Sequence, residues 1–142
     1  MNRRISKYLS RYYHTAFGVR YECRESVRAQ GRSLQTLHEA AVDYAKTLPE
    51  EERREAIKIF RRHYKRSVNF LKQTKKDVRE STRIVSKYQG KKLLLIDSHL
   101  VRRNKEATVK YRSGSRVWVK YSDGRESSLH PRSFKNVEII EE

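Results

Sequence analysis

The forty residues from 49 to 88 contain one proline, at the first position, and no glycine. Because proline and glycine are the residues that most often interrupt a helix, this stretch predicts one continuous helix. Pro49 suits a helix start, and the glutamates at 50–52 oppose the positive end of the helix dipole. At a rise of 1.5 Å per residue, such a helix is about 60 Å long. A chain of 142 residues must therefore fold around this element.

Apolar residues recur along this predicted helix at intervals of seven. The first series is Ile57, Tyr64, Leu71, Val78 and Val85. The positions three residues further on are mostly polar: Phe60, Ser67, Thr74, Ser81 and Tyr88. This spacing predicts a helix packed along most of its length against the first helices of the chain. A homodimeric coiled coil through the same face is the alternative, although the second series has few large apolar side chains.

Shorter helical patterns precede the long helix. One face of a first helix, ending near Gly18, is formed by Ile5, Leu9, Tyr12 and Ala16. A weaker continuation has Val19, Cys23 and Val27 at intervals of four, and Gly31 is its predicted stop. Ser33 is then predicted to cap a helix whose apolar positions are Leu34, Leu37, Ala41, Tyr44 and Leu48.

After Gly90 the sequence predicts strands. KKLLLI, ATVKYR and RVWVKY are short and rich in β-branched and aromatic residues, and VEII forms a last strand. Gly114 and the pair Asp123-Gly124 are hairpin signals. We expect four or five strands that close into a small barrel. The predicted fold is α+β, with a helical domain at 1–89 and a barrel domain at 90–142.

The residues SRVWVKYSDGRESSLHPRSFKNVEII, at 115–140, resemble the second half of an SH3-like small β-barrel of the Tudor type. In that type a strand like VWVKY turns at an Asp-Gly pair and returns. A single turn like LHPRSF then leads to the final strand. The resemblance implies a small barrel in the C-terminal third of the chain, which binds nucleic acid, peptides or methylated side chains. The fold alone does not choose among these ligands.

The charge of the chain indicates the chemistry of its partner. Thirty-four lysines and arginines face seventeen acids, which gives a formal charge of +17. Between Glu55 and Asp77 the chain holds eight lysines and arginines and no acid. Such a surface attracts polyanions through Coulomb steering and counterion release. Nucleic acid is the first expectation, and an anionic membrane is the second.

Nine basic residues share one side of the long helix, beside its apolar face. They are Lys58, Arg61, Arg62, Lys65, Lys72, Lys75, Lys76, Arg79 and Arg83. Asp77 and Glu80 are predicted to lie outside this basic stripe. A solvated helix usually mixes its charges in i,i+4 pairs, so the separation favours binding to phosphates. A lysine-rich face that is exposed to solvent and binds nothing is the alternative interpretation. Membrane contact is disfavoured because the apolar face is needed for packing.

Two further surfaces are candidates. The first residues place Arg3, Arg4, Lys7 and Arg11 among Tyr8, Tyr12 and Tyr13, which suits stacking on RNA or single strands, unless Tyr8 and Tyr12 are core residues. On the predicted barrel, Val117 and Val119 facing the core would leave Trp118 beside Lys120, Arg116 and Arg125. Trp118 is then a binding residue, or else it closes the barrel end or packs on the helices. A methyl-lysine cage of Tyr111, Trp118 and Tyr121 is disfavoured by the surrounding cations.

No motif in the sequence requires catalysis. There is no glycine-rich phosphate loop, nucleophile motif or metal-ligand spacing among the single cysteine and five histidines, so we expect no enzyme, cofactor or metal. Cys23 has Arg20 and Arg24 nearby, and we expect an ordinary thiol there. The longest apolar run, LLLI, is too short to span a membrane, and no signal peptide is evident. A cytoplasmic location is expected.

These observations predict a non-enzymatic protein that binds nucleic acid through the phosphate backbone, largely independently of sequence. DNA is slightly preferred over RNA, because a long straight basic helix matches a duplex. A small basic chain of this design also suits a viral or nucleoid-associated protein. The alternative is a protein-interaction module that docks on an acidic surface of a large machine, such as RNA polymerase or the ribosome. The chain is expected to be a monomer, or a homodimer through the long helix.

Overall fold

The computed structural model describes residues 2–18, 21, 24–96 and 105–141. Three helices come first: α1 at Arg3–Phe17, α2 at Arg24–Ala45 and α3 at Glu50–Tyr88. Five strands follow and form one antiparallel sheet. The chain divides into two compact units, Met1–Thr74 and Lys75–Glu142, so the division falls inside α3 and not at its end.

Helix α1 forms as its sequence predicts. The side chain of Asn2 accepts a hydrogen bond from the backbone nitrogen of Arg4, at 2.9 Å, and caps the helix start. The helix ends where the backbone nitrogen of Gly18 donates to the carbonyl of His14, at 3.2 Å. Its buried residues are the four of the predicted face, Ile5, Leu9, Tyr12 and Ala16. The apolar period alone was therefore sufficient to orient this helix.

Helix α2 is longer than its sequence predicts. It begins at Arg24, so both Gly31 and Ser33 lie in its interior, and the predicted stop and cap at these residues are wrong. Burial explains the difference, because Val27 and Leu34 are both buried on one face of the uninterrupted helix. Burying two such side chains contributes about 3–6 kcal/mol, against about 1 kcal/mol for one interior glycine. The predicted residues Val19 and Cys23 lie outside the described residues.

Helix α3 is continuous over 39 residues, which confirms the single long helix. The backbone nitrogen of Arg53 donates to the carbonyl of Pro49 at 2.8 Å, so Pro49 immediately precedes the helix. The more deeply buried series is the second one, in which Ser67, Thr74 and Ser81 are all buried. The Oγ of Ser81 donates to the carbonyl of Ser115 at 2.7 Å, which satisfies a buried hydroxyl. Small side chains at these positions allow neighbouring elements to approach the helix closely.

In the first unit, α1 and α3 run in the same direction and α2 runs against them. Ring contacts fix this arrangement. The ring centroids of Tyr8 and Phe60 are 5.8 Å apart and those of Phe17 and Phe70 are 4.2 Å apart, so α1 and α3 are parallel. Tyr8 also stacks on Tyr44, near the end of α2, at 5.4 Å. Apolar residues of all three helices form one continuous core. The first unit is therefore a three-helix bundle.

In the second unit, the sheet has the strand order β4-β3-β2-β1-β5. The strands are β1 at Lys92–Leu95, β2 at Lys105–Ser113, β3 at Arg116–Tyr121, β4 at Glu126–Leu129 and β5 at Val137–Glu141. Gly114 and Gly124 take positive φ angles of 61° and 89° in the two hairpin turns, which confirms both hairpin signals. A single 3-10 turn at Pro131–Phe134 precedes the last strand.

The sheet buries one face and exposes the other. Leu93, Val109, Val117 and Val119 are fully buried, and Ile84 of α3 packs against the same cluster. Over the described residues the sheet is open, with β4 and β5 as its two edges. The α+β class is thus confirmed, and the five strands lie within the expected range. Closure into a barrel is not part of this arrangement.

Replacement of Ser67 by leucine tests the buried small-residue positions of α3. Ser67 is only 1 % exposed, so the added side-chain volume has no room, and overpacking should cost about 1–3 kcal/mol. Thermal unfolding followed by circular dichroism should show a clearly lower Tm for S67L. The matched control is S86L, at an exposed position of the same helix. Equal Tm values for the two variants would contradict the packing described for α3.

Candidate nucleic-acid interface

The predicted basic stripe is present in the first unit. Its members there, all exposed, are Lys58, Arg61, Arg62, Lys65 and Lys72. At 100° per residue they lie within an arc of about 100° of the helix circumference. Within the described part of the chain, none of the five makes an ion pair or a side-chain hydrogen bond. The structure thus presents five solvated cations side by side, with no carboxylate neutralising them.

In the second unit the stripe is less uniform. Lys76 and Arg79 are exposed, whereas Lys75 is half-buried. Arg83 forms an ion pair with Glu80, one turn earlier on the same helix. The expectation that the whole stripe is unopposed by acids is therefore wrong at Arg83, because the i,i+3 spacing brings the two side chains together.

Asp77, the other acid of this segment, lies away from the stripe. Its Oδ2 is 3.1 Å from Nε2 of His130, on the loop before the 3-10 turn. The carboxylate of Asp77 is thus engaged by His130. Glu80, by contrast, pairs with a stripe residue, Arg83.

Arg66 and Lys87 are among the basic residues of α3 that the sequence analysis did not name. Both are exposed, and they follow Arg62 and Arg83, respectively, by four residues. Arg66 donates to the hydroxyl of Tyr13 at 3.5 Å, which places it at the contact of α1 with α3. The i+4 spacing from predicted stripe residues was the signal that could have found both of them.

The tyrosines of α1 are mainly core residues. Tyr12 is 0 % exposed, and its hydroxyl lies 2.7 Å from Nδ1 of His38. Tyr8 is half-buried among core rings, and the guanidinium of Arg11 lies over it at 5.8 Å. Stacking on nucleic acid is therefore wrong for Tyr12 and unsupported for Tyr8. Tyr13 is 40 % exposed and remains accessible.

The basic residues of α1 are presented to solvent. Arg3, Arg4, Lys7 and Arg11 are all exposed, on the side opposite the buried face of this helix. Helix α1 contains no acidic residue. The first unit therefore exposes cations on α1 as well as on α3.

Two histidines beside the stripe have lowered pKa values. The pKa of His38 is lowered, first by burial and then by the charge of Arg61, against a smaller opposing effect of Glu39. The pKa of His63 is lowered by burial and then by Arg66 and Arg62. In both cases the neutral imidazole is favoured, first because burial disfavours the charged form of the ring and second because a further positive charge would lie close to arginines.

On the sheet, Trp118 occupies the predicted face. Val117 and Val119 are fully buried, and Trp118 points to the opposite side, where it is half-buried. Its ring stacks on Tyr111 of the neighbouring strand, with centroids 6.1 Å apart and planes 17° apart. Tyr121 belongs to the core side, so the three aromatic residues of the considered cage do not converge.

The cations around Trp118 differ in their freedom. Arg116 donates to both the hydroxyl and the carbonyl of Ser128, at 3.1 Å each. Arg125 donates to the carboxylate of Asp123 at 2.6 Å and is thereby neutralised. Lys120 is exposed and faces Glu126 across the strand pair. This surface therefore offers less uncompensated charge than the first unit does.

Exposed aromatic side chains form a patch of which the sequence analysis named Tyr13 alone. We call Tyr13, Phe17 and Phe70 the aromatic patch; they are 40 %, 37 % and 37 % exposed. Phe17 lies 5.5 Å from Tyr13 and 4.2 Å from Phe70. Their positions follow from the packing of α1 on α3, which a helical pattern read from one helix at a time does not show.

Other kinds of site were sought over the same residues. Within the described ranges, no group of three or more His, Cys, Asp or Glu side chains converges on a metal position. No helix among the described residues combines the length and apolarity needed to cross a membrane. Compared with protein-family models, curated proteins and solved structures, the chain has no match.

The lowered pKa of His38 predicts a pH dependence of stability. A histidine that is less basic when folded takes up protons preferentially in the unfolded chain, so its contribution is complete above the ordinary pKa of about 6.5. The contribution decreases as the pH falls below that value. The Tm of the full chain should therefore be lower at pH 5.5 than at pH 7.5, and H38N should reduce this difference.

His14, which is exposed on α1, offers the matched control. H14N should retain the wild-type response of Tm to pH, because the His14 side chain is not part of the core. An equal pH response in H38N and wild type would contradict the role assigned to His38.

Proposed function

We propose that the protein binds nucleic acid through its phosphate backbone, without catalysis and largely without regard to base sequence. The observation that carries this proposal is a row of exposed cations on α3 of the first unit that have no ion-pair partner among the described residues: Lys58, Arg61, Arg62, Lys65 and Lys72. Solvated helices in general gain stability by pairing opposite charges at i,i+4. This helix places like charges at that spacing and leaves them unpaired.

The charge pattern suits a polyanion better than a small anion. Lys58, Lys65 and Lys72 follow one another at intervals of seven residues, about 10.5 Å apart along the helix axis. A nucleic-acid backbone carries phosphates over a length of many such spacings, so successive lysines can contact successive phosphates of one ligand. A small anion is too short to do so. Each neutralised phosphate releases counterions, which provides affinity without reading the bases.

Duplex DNA is the preferred ligand of the basic stripe. The five stripe cations of the first unit lie on one uninterrupted helix, and a duplex offers a regular line of phosphates to such a helix. The stripe consists of lysines and arginines, and phosphate recognition needs no other residue type. The proposal accordingly assigns no base-reading residue to α3.

For the second unit, we propose an SH3-like fold of the Tudor type. Five antiparallel strands, the turn at Gly124 and the single turn at Pro131–Phe134 before the last strand support this proposal. Trp118 with Tyr111, beside the exposed Lys120, is the part of this unit best suited to contact nucleic acid. Its contribution is secondary, because Arg116 and Arg125 are held by Ser128 and Asp123.

Charge reversal in the stripe tests the proposal. The variant K58E/K65E/K72E should bind duplex DNA at least about tenfold more weakly at 100 mM salt, because three phosphate contacts are lost and replaced by repulsion. The slope of log K against log salt concentration should also decrease in magnitude by about 2.7. Fluorescence anisotropy with a labelled duplex, over a range of salt concentrations, provides both values.

The matched control reverses the same number of charges on α2. Arg24, Arg28 and Arg32 are exposed in the same unit, and R24E/R28E/R32E changes the net charge by the same amount. This control should retain most of the affinity and most of the salt slope. Equal weakening by both variants would show that only net charge matters, and unchanged binding of K58E/K65E/K72E would refute the interface on α3.

A further inference from the structure

We propose that the aromatic patch of Tyr13, Phe17 and Phe70 is a stacking site for unpaired bases of a nucleic-acid strand. This inference rests on the proposed function and extends it from phosphate contacts to a class of ligand. A strand with unpaired bases would place its phosphates on the basic stripe of the first unit and one or more bases on the adjoining rings.

The geometry of the patch leaves its rings accessible. Tyr13 and Phe17 are four residues apart on α1, and Phe70 of α3 contacts Phe17. All three keep more than a third of their surface exposed in a unit whose other large apolar side chains are mostly buried. Exposed rings of two helices in mutual contact form one continuous apolar surface, and such a surface marks a binding site more often than scattered single residues do.

Cations connect this patch to the stripe. Arg62, Arg66 and Phe70 follow one another at intervals of four, so each is turned about 40° further around α3. Arg66 also reaches the aromatic patch directly, since it donates to the hydroxyl of Tyr13 at 3.5 Å. A ligand that leaves the stripe at Arg62 therefore meets Arg66 next and the rings after it.

The charge around the patch matches a strand of nucleic acid. Helix α1 contains no acid, and α3 has none between Glu55 and Asp77. The ring centroid of His63 lies 5.4 Å from that of Tyr13. The pKa of His63 is lowered by burial and then by Arg66 and Arg62, in accord with a positive local potential. Aromatic rings beside a basic track form the usual surface for single strands, in which phosphates bind cations and bases stack on rings.

The same chemistry explains why such a site would tolerate any sequence. Every base has an aromatic face, so stacking on Phe17 or Phe70 discriminates little among bases. The rings of Phe17 and Phe70 carry no hydrogen-bonding group that would select one base edge. Stacking therefore adds affinity for unpaired strands and keeps the sequence independence of the stripe.

The first experiment needs only the wild-type chain. Its affinity is measured by anisotropy for a labelled single-stranded DNA and for the same strand with consecutive abasic positions, which keeps the phosphates and removes the bases. The base-bearing strand should bind at least about fivefold more tightly, since stacking of one base contributes roughly 5-fold to 150-fold in affinity. An RNA strand of the same sequence shows whether the sugar matters.

The second experiment changes the rings. F17L/F70L removes two aromatic faces and retains apolar bulk, whereas F17Y/F70Y keeps both faces and is the matched control. The leucine variant should lose the preference for the base-bearing strand, and the tyrosine variant should keep it. Both variants should bind duplex DNA as the wild type does, and circular dichroism should show folded helices in both.

The outcomes separate this inference from the proposed function. Equal affinity of the wild type for the abasic and base-bearing strands overturns the stacking site, while retained binding of both strands leaves the stripe intact. A preference that survives in F17L/F70L also overturns it. Competition by polyglutamate as effective as that by the base-bearing strand would assign the patch to an acidic protein partner. Failure of the wild type to bind any nucleic acid at 50 mM salt removes both proposals.

Discussion

The buried face of α3 is the constraint on which the rest of the structure depends. Phe60 and Leu71 pack into the core of the first unit, and Val78 and Ile84 are buried in the second. A helix with one side fixed by burial must expose the opposite side, and there the lysines and arginines lie. Like charges at i,i+4, such as those of Lys58 and Arg62, weaken an isolated helix by a few tenths of a kcal/mol per pair. Tertiary packing offsets this repulsion and keeps the cations available for a ligand.

Small and polar residues in the interior allow other elements to pack closely against α3. Ser67, Thr74 and Ser81 lie where a regular seven-residue pattern would place large apolar side chains, and their size permits close contact between elements. His38 accommodates the hydroxyl of Tyr12 in the bundle and stacks on Tyr64 at 4.2 Å. Arg61 lies near enough to this histidine to lower its pKa, so the core and the basic stripe are electrostatically connected. A change of charge at the stripe should therefore affect the stability of the bundle.

The sequence predicted those features that depend on local periodicity. The buried face of α1, the extent of α3 and the turns at Gly114 and Gly124 all follow from residue spacing or from a backbone requirement of glycine. Features that depend on partners distant in sequence were missed. Gly31 does not stop α2 because burial on either side of it holds the helix together, and no helical pattern reveals that Phe17 meets Phe70.

The candidate site follows the same division. The exposed cations of the first unit were predictable, because a helical wheel shows which side of a packed helix remains free. The engagement of Arg116 by Ser128 and of Arg125 by Asp123 depends on strand register and turn geometry, so it required the structure. The prediction that Glu80 lies outside the stripe was wrong, because at 100° per residue Glu80 has the same angular position as Arg62, and it pairs with Arg83.

Direct measurement of lysine reactivity tests the central claim, that the cations of α3 contact phosphates. Partial acetylation of the full chain, with and without saturating duplex DNA, followed by mass spectrometry, gives a protection factor for each lysine. The account predicts severalfold protection of Lys58, Lys65 and Lys72, with little change at Lys46, which is exposed just after α2 and pairs with Asp43. Unchanged reactivity of the three stripe lysines at saturating DNA would contradict it.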